Sequence, residues 1–355
     1  MEIKNIFQKA LGGERIQKDE AVALFSTNDI LTLGNVASKI TRRKSRDNIV
    51  TYIIDRNINY TNICITDCTF CAFYRKLDHP EAYVLTFEEL QKKIEKTIEL
   101  GGHQILLQGG HNPELRLEYF ETLFRNIKNR FQLKLHALSP PEIMHLSKIS
   151  RLPVKIVLQR LKNAGLDSIP GGGAEILVDR VRQVISPKKC STDEWLDVMG
   201  IAHRMELPTT ATMMFGHLET FEERVEHLIR LRDQQDKTGG FTAFIAWTHQ
   251  PGSNPLGTKL NGEKVSGMEY LKTLAISRIV LDNFDNLQSS WVTQGPKIGQ
   301  MALFYGANDM GSVMIEENVV REAGAKFQMD EEEIRGLIVD GGFIPQRRNM
   351  RYELV

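Results

Sequence analysis

Short apolar runs alternate with amphipathic helical patterns along most of the chain. In segments such as 87–102 and 118–131, apolar side chains recur every three or four positions, which is the spacing of one helix face. Between such segments lie eight short runs typical of buried strands: 51–58, 104–109, 133–138, 168–175, 209–216, 241–247, 286–292 and 301–307. The connections between successive runs are long enough to hold a helix, so the strands are predicted to be parallel.

Repeated strand–helix units of this number predict an α/β fold, a (β/α)8 TIM-type barrel, with an open doubly wound sheet as the alternative. Two short helices predicted within 18–46 would form an N-terminal helical cap. We therefore divide the chain into a cap (1–47), a barrel (48–325) and a C-terminal tail packed on the barrel (326–355). In either fold, catalytic residues are expected just after the strands.

The composition of the chain argues against nucleic acid and membranes as binding partners. The 355 residues include 45 Lys plus Arg and 45 Asp plus Glu, so no general positive field attracts nucleic acid or an anionic membrane surface. No apolar stretch approaches the roughly 18 residues that a membrane span needs, and the first residues do not resemble a signal peptide. Four cysteines are too few for a secreted disulfide scaffold. We expect a cytoplasmic protein without membrane insertion.

Three of the four cysteines carry the strongest chemical signal. Cys64, Cys68 and Cys71 follow the first predicted strand with the spacing CxxxCxxC. Thiolates suit iron and zinc, and a structural zinc site normally has four protein ligands. Here Cys190 is distant and His79 is the nearest histidine, whereas three thiolates on a four-iron, four-sulfur cluster leave one iron open. An open 4Fe-4S cluster is the preferred interpretation, and a zinc site or a non-enzymatic iron–sulfur or zinc protein is the alternative.

The cysteine segment NYTNICITDCTFCAFYR, with Phe70 before the last cysteine, resembles the radical S-adenosylmethionine superfamily. ILLQGGHNPEL, LSPPEI, IPGGGAEIL and TTATMMFGHLET are similar, in the same order, to the branch that acts in the futalosine menaquinone route and in deazaflavin synthesis. The resemblance covers about residues 45–325. It implies that S-adenosylmethionine binds the open iron and that a 5′-deoxyadenosyl radical removes hydrogen from a small-molecule substrate. It also implies an external one-electron reductant such as flavodoxin or ferredoxin.

The resemblance also assigns cofactor-binding residues. Glu175 would bind the ribose or amino group of S-adenosylmethionine, and one of two arginines its carboxylate. Where the superfamily usually has Gly-Gly-Glu, His111 follows two glycines, which puts a carboxylate role there in doubt. The glycines also suit a strand-end turn, and the serine also suits a helix cap. The candidates are Phe70, Gly109, Gly110, Ser139, Glu175, Arg180, Arg182 and Gly216.

Later strand ends are predicted to bind the substrate. Aromatic and neutral hydrogen-bonding side chains there suit a sugar and an aryl carboxylate, although the tryptophans also suit a barrel core. The candidates are Trp247, Thr248, Gln250, Ser290, Trp291 and Asn308.

Within the branch, the resemblance favours ring closure of dehypoxanthine futalosine, in which a ribose carbon joins the aryl ring. That reaction needs a base, for which we select His249 first and Asp309 second. The aminofutalosine synthase and deazaflavin-forming transferase reactions of the same branch are the alternatives.

Overall fold

Parallel strands form the centre of the molecule. The computed structural model describes residues 2–45 and 48–355, so Met1, Arg46 and Asp47 of the predicted cap lie outside the described residues. The strands are β1 (Ile49–Ile53), β2 (Asp55–Asn59), β3 (Gln104–Gln108), β4 (Lys134–Ala137), β5 (Thr209–Phe215), β6 (Phe241–Thr248), β7 (Leu287–Gln288), β8 (Asp309–Ser312) and β9 (Ile344–Arg347).

The strands close into a ring. One sheet has the order β5-β6-β7-β8-β1-β9 and a second has the order β2-β3-β4, and every strand pair in them is parallel. β1 continues into β2 through Ile54, which joins the two sheets on one side. On the other side, single bridges at Ser168 and Ile169 connect β4 to β5. The closed ring confirms the predicted barrel and excludes the open sheet.

Helices surround this ring. α4 shows why they form where they do: Thr86 and Glu89 make a reciprocal cap at its start, and Leu90 and Ile94 bury one face. Sequence patterns missed α1. The helices are α1 (Ile3–Gly12), α2 (Lys18–Leu24), α3 (Ile30–Lys44), α4 (Phe87–Glu99), α5 (Leu117–Arg130), α6 (Pro140–Ser150), α7 (Val154–Ala164), α8 (Asp179–Ile185), α9 (Thr192–Arg204), α10 (Phe221–Thr238), α11 (Pro255–Lys259), α12 (Gly267–Val280), α13 (Trp291–Gln294), α14 (Pro296–Ala302), α15 (Val319–Glu322) and α16 (Glu331–Asp340).

Three predicted strands were placed wrongly. The apolar run 301–307 is not a strand, because a helix that starts at Pro296 extends to Ala302 and the strand begins only at Asp309. In 168–175 only two bridges form, since the glycines that follow turn the chain away. In 286–292 the strand is two residues long and then gives way to α13. Short apolar runs do not distinguish a strand from a buried helix.

The C-terminal segment completes one end of the barrel. β9 pairs with β1 in parallel, from Ile49 opposite Ile344 to Tyr52 opposite Arg347. The chain then turns so that Arg348 and Tyr352 enter the barrel interior. Because this end holds the starts of the strands, the segment forms a floor beneath the central cavity. In the described parts of the chain, no helix combines the length and the apolar character needed to cross a membrane.

Candidate active site

The three cysteines lie on a loop that follows β2, at the carboxyl ends of the barrel strands. Cys64 and Cys68 both contact the hydroxyl of Thr66, with Sγ–Oγ1 distances of 2.9 and 3.6 Å. The backbone N–H of His111 donates to Cys64 Sγ at 3.3 Å. Burial raises the pKa of the Cys68 thiol to about 11, so its ionisation depends on a bound metal.

The donor set of this loop suits an iron–sulfur cluster. A structural zinc ion would normally need a fourth protein ligand beside the three thiols. In a four-iron cluster each thiolate binds a different iron, so three thiolates leave one iron open. His79, considered as a zinc ligand, instead accepts a hydrogen bond from the backbone N–H of Glu81 at 3.1 Å. The donor set therefore fits an iron–sulfur cluster with three protein ligands.

Gly109 and Gly110 let the cysteine loop pack against the end of β3. A Cβ atom on Gly109 would lie 2.6 Å from the ring of Tyr60, and one on Gly110 would lie 2.1 Å from the carbonyl oxygen of Ile63. Any side chain at either position would push the loop away, and with it Cys64. The structure thus supplies a packing reason for both glycines, independent of the cofactor contact predicted for them.

Glu142 holds Tyr60 and Gly109, which pack against each other beside the cysteine loop, through hydrogen bonds. It is buried, and it accepts hydrogen bonds from Tyr60 Oη at 2.8 Å and from Gly109 N at 3.0 Å through Oε1. Its other oxygen accepts from the backbone N–H and the hydroxyl of Ser139, at 2.8 and 2.6 Å. Burial raises the pKa of Glu142 above its usual value. Ser139 therefore caps α6 and is occupied by that role.

Glu175 forms a buried ion pair that sequence reasoning missed. Its Oε1 lies 2.8 Å from Nζ of Lys189, and the two side chains are 3% and 15% exposed. Nζ also lies 5.2 Å from the ring centre of Phe70, which places the ammonium beside the cysteine loop. Burial alone raises the pKa of Glu175, but the charge and hydrogen bond of Lys189, together with the charge of Arg182 and a backbone hydrogen bond, outweigh burial and lower that pKa. In the sequence, Lys189 is recognisable only as the lysine next to Cys190, and its spacing from Glu175 does not predict that the two side chains meet.

Both candidate arginines contact other protein groups in the structure. Arg180 lies at the surface with a 56% exposed side chain, and its guanidinium pairs with Glu223 at 2.5 Å. Arg182 is buried, but it donates to the carbonyl groups of Gly173, Ala174 and Cys190. It therefore ties the glycine-rich loop to the segment that carries Lys189. In this structure both guanidinium groups therefore already have protein partners.

Arg182→Ala should lower the free energy of unfolding by about 3 kcal/mol, because it removes a buried cation that satisfies three backbone carbonyls. Arg180→Ala is the matched control and should change it by less than about 1 kcal/mol, since its ion pair is exposed. Urea unfolding of the two variants measures this difference. Equal losses would contradict the assignment of Arg182 as the structural residue.

Gly216 follows β5 and adopts a left-handed conformation, with φ +86°. A Cβ atom there would lie 1.9 Å from Val265 Cγ2, so only glycine fits. Its N–H and that of His217 donate to the carboxylate of Glu219, at 2.6 and 2.9 Å, and Arg224 holds the same carboxylate at 2.8 Å. The turn is therefore rigid before any ligand binds.

A cavity of about 300 Å³ occupies the barrel interior. Trp247, Ser290 and Trp291, three of the substrate-binding candidates, are among the residues that line it. Gly171 and Gly172, which belong to the glycine-rich segment before Glu175, also line the cavity. The cavity and the cysteine loop therefore adjoin the same glycine-rich segment.

The other substrate-binding candidates form hydrogen bonds with protein groups outside the cavity. Gln250 Nε2 donates to the hydroxyl of Thr248 at 3.1 Å, and Gln294 Nε2 donates to the same hydroxyl at 2.7 Å. Asn308 Oδ1 accepts from buried Arg278 and from the backbone of Leu287. Asn308 precedes β8 instead of following it, so it lies at the opposite end of the barrel from the cysteines. Thr248, Gln250 and Asn308 thus have structural partners and do not line the cavity.

Neither predicted base faces the cavity. His249 is buried, its Nε2 lies 3.3 Å from Oδ1 of Asn254, and its ring packs 6.2 Å from that of His217. Burial lowers the pKa of His249 to about 4. Asp309 starts β8, and both of its oxygens are occupied by Arg348, with further hydrogen bonds from Thr51 and Gly311. Its position follows from the wrong assignment of the eighth strand.

Asp309→Ala should lower the free energy of unfolding by about 3–5 kcal/mol, because it leaves the buried guanidinium of Arg348 without a counter-ion. Thermal or urea unfolding measures the loss. Arg348→Met in the same background should recover most of it, since the unpaired charge is then absent. A variant as stable as the wild type would contradict a structural role for Asp309.

Comparison with known proteins identifies the family. Residues 58–231 match the Radical SAM superfamily, and residues 238–355 match the CofH/MqnC C-terminal region. A cyclic dehypoxanthine futalosine synthase of Halalkalibacterium halodurans is 45% identical over 356 residues, covering 100% of this chain and 95% of the relative. The chain belongs to the radical S-adenosylmethionine superfamily.

Further relatives define the branch of this radical S-adenosylmethionine enzyme. A cyclic dehypoxanthine futalosine synthase of Streptomyces coelicolor is 43% identical, covering 99% of this chain and 88% of the relative. A 5-amino-6-(D-ribitylamino)uracil–L-tyrosine 4-hydroxyphenyl transferase of Methanosarcina acetivorans is 42% identical, covering 86% and 82%. The crystal structure of methylornithine synthase superposes with a TM-score of 0.75 at 18% identity, covering 96% of this chain and 97% of that one, and supports the fold alone.

Membership of the radical S-adenosylmethionine superfamily settles the cofactors. Its enzymes use a 4Fe-4S cluster and S-adenosylmethionine, and the three-thiol loop fits that cluster. The chain is therefore an enzyme that acts on a small-molecule substrate, which decides against a zinc or non-enzymatic iron–sulfur protein.

Proposed function

We propose that this enzyme cyclises dehypoxanthine futalosine to cyclic dehypoxanthine futalosine, a step of menaquinone biosynthesis. The observation that carries the proposal is that a three-thiol loop and a barrel cavity with two tryptophans in its wall both lie beside the glycine-rich segment before Glu175. Two relatives with that printed name match the chain over 99% or more of its length. The cavity of about 300 Å³ suits a substrate made of one sugar and one aryl ring.

Five side chains would hold the cofactors. Cys64, Cys68 and Cys71 would ligate three irons of the cluster. Lys189, beside the same loop, would pair with the methionine carboxylate of S-adenosylmethionine, and Glu175 would accept hydrogen bonds from its amino or ribose groups. When bound, the reduced cluster and S-adenosylmethionine supply a 5′-deoxyadenosyl radical that can remove a hydrogen atom from the substrate.

The barrel wall would orient the substrate and exclude water. Trp247 and Trp291 offer flat apolar faces for the aryl ring, and Ser290 and Gln288 offer hydrogen bonds for the ribose hydroxyls. The floor, which the C-terminal segment supplies, closes the lower end of the cavity. Such an enclosure holds the ribose and the ring in contact and keeps the radical from stray hydrogen donors.

Anaerobic incubation of the reconstituted, dithionite-reduced enzyme with S-adenosylmethionine and dehypoxanthine futalosine tests the proposal. We expect cyclic dehypoxanthine futalosine and 5′-deoxyadenosine in equal amounts, detected by mass spectrometry. Parallel reactions contain the substrates of the two sister enzymes, namely the aminofutalosine synthase and the deazaflavin-forming transferase. Turnover with either, and none with dehypoxanthine futalosine, would assign the chain to that sister activity.

The electron that first reduces the cluster would come from a flavodoxin or ferredoxin in the cytoplasm. Four free cysteines support a reducing compartment, and Ile65, 49% exposed on the cysteine loop, places that loop near the surface, where a small donor can approach. We propose no nucleic-acid partner, because the 45 basic and 45 acidic residues balance.

A further inference from the structure

His136 presents an imidazole to the central cavity. It lies on β4, opposite Leu106 of β3, and its ring is part of the cavity wall. Nδ1 shares a hydrogen bond with the hydroxyl of Ser168, in the segment that bridges β4 to β5. Within residues 2–45 and 48–355, the other ring nitrogen, Nε2, has no hydrogen-bond partner. A held ring with one free nitrogen is the arrangement of a general base.

The carboxyl groups of the cavity wall are less available. Glu317 accepts from Asn57 Nδ2 at 2.8 Å through one oxygen and from the backbone N–H groups of Val319 and Val320 through the other. Asp55 accepts from Gln104 Nε2 at 2.9 Å and lies at the start of β2, towards the floor. Burial raises the pKa of both carboxyl groups, which favours their neutral forms. Asp55 is the competing candidate.

We propose that His136 is the catalytic base that removes the aryl proton after the ring has closed. This assignment rests on the proposed cyclisation. Addition of the ribose radical to the aryl ring forms the new carbon–carbon bond and leaves a cyclohexadienyl radical. The oxidised cluster, when held by the three thiolates, would accept the unpaired electron of this radical. The C–H bond at the attacked carbon then breaks, its proton passes to His136 Nε2, and its electron pair restores the aromatic ring.

The surroundings keep the imidazole neutral before this step. Burial and the charge of Arg348 lower the pKa of His136 to about 3. The tautomer required has Nδ1–H donating to Ser168 Oγ, which leaves the Nε2 lone pair for the proton. After the electron has left, the proton is lost from a cyclohexadienyl cation, and this loss is strongly downhill because aromaticity returns, so a weakly basic nitrogen suffices when it is in contact.

His136→Gln tests the assignment, since glutamine keeps the size and polarity of the side chain and removes the base. Cyclic product is expected to fall about a hundredfold or more. Substrate deuterated at ribose C4′ should still deliver deuterium to 5′-deoxyadenosine, so the ratio of 5′-deoxyadenosine to cyclic product should rise. Asp55→Asn and His249→Gln are the controls, and both should keep the wild-type ratio.

Tryptophan fluorescence of the cluster-free protein separates chemistry from binding, because Trp247 and Trp291 line the same cavity. The Kd of dehypoxanthine futalosine for His136→Gln should stay near the wild-type value. The assignment would be overturned if His136→Gln kept the wild-type ratio of 5′-deoxyadenosine to cyclic product, or if Asp55→Asn raised that ratio instead. Wild-type enzyme that forms no cyclic product would refute the proposed function itself, which is a different outcome.

Discussion

Cys68→Ala is expected to yield a colourless protein that binds no iron–sulfur cluster and forms no 5′-deoxyadenosine. A four-iron cluster held by three thiolates has no spare protein ligand, and Cys68 is the most buried of the three. Cys64→Ala and Cys71→Ala should behave alike. Iron and sulfide analysis after anaerobic reconstitution, with electron paramagnetic resonance of the reduced protein, measures the loss.

Cys190→Ala is the matched control and should retain the wild-type iron content. Cys190 is buried like Cys68, but its thiol lies 3.9 Å from Arg182, and its carbonyl anchors that arginine. Alanine preserves the carbonyl, so the fold should survive. A Cys190 variant that loses iron, or a Cys68 variant that keeps a full cluster, would show that the ligand set is wrong.

Lys189→Met is expected to weaken S-adenosylmethionine binding by roughly 2 kcal/mol or more, which is about thirtyfold in Kd. Methionine keeps the length of the side chain but removes the ammonium that would meet the carboxylate of the cofactor. It also leaves Glu175 buried without its cation, which repels that carboxylate. Isothermal titration of the oxidised, cluster-loaded enzyme with S-adenosylmethionine measures the change without turnover.

Two further variants separate these effects. Lys189→Arg keeps the charge and should recover part of the affinity, whereas Lys189→Met with Glu175→Gln should recover stability but not affinity. Iron content should be equal in all three, since Lys189 is not a cluster ligand. The assignment fails if Lys189→Met binds the cofactor as tightly as the wild type, and a backbone group would then become the candidate.

The cysteine loop could be singled out from the sequence because its signal is local. Cys64, Cys68 and Cys71 lie within one turn-rich segment, so their spacing alone limits what they can bind. The glycines at 109, 110 and 216 were also recognisable, although the structure shows that neighbouring side chains and backbone demand them. The barrel followed from the repeated alternation of strand and helix patterns, which needs no knowledge of long-range contacts.

Residues that depend on distant partners were missed or misplaced. Lys189 meets Glu175 across a loop and a short helix, and His136 shows its role only once the cavity wall is assembled. Arg182 and Arg180 are two positions apart on α8, so one faces the core and the other the solvent. Asn308 and Asp309 were predicted at the wrong end of the barrel, because the apolar run 301–307 was interpreted as a strand that precedes them.

The pairing of β9 with β1 has a consequence for the order of folding. Ile49 pairs with Ile344, which lies about 295 residues later in the chain. A pairing between residues so far apart in sequence forms slowly. Until it forms, one edge of β1 offers unpaired backbone groups to other chains. A newly made chain therefore carries its cluster loop and nearly all of its barrel before the floor can close. Protection of that edge during synthesis becomes a condition for yield of the folded enzyme.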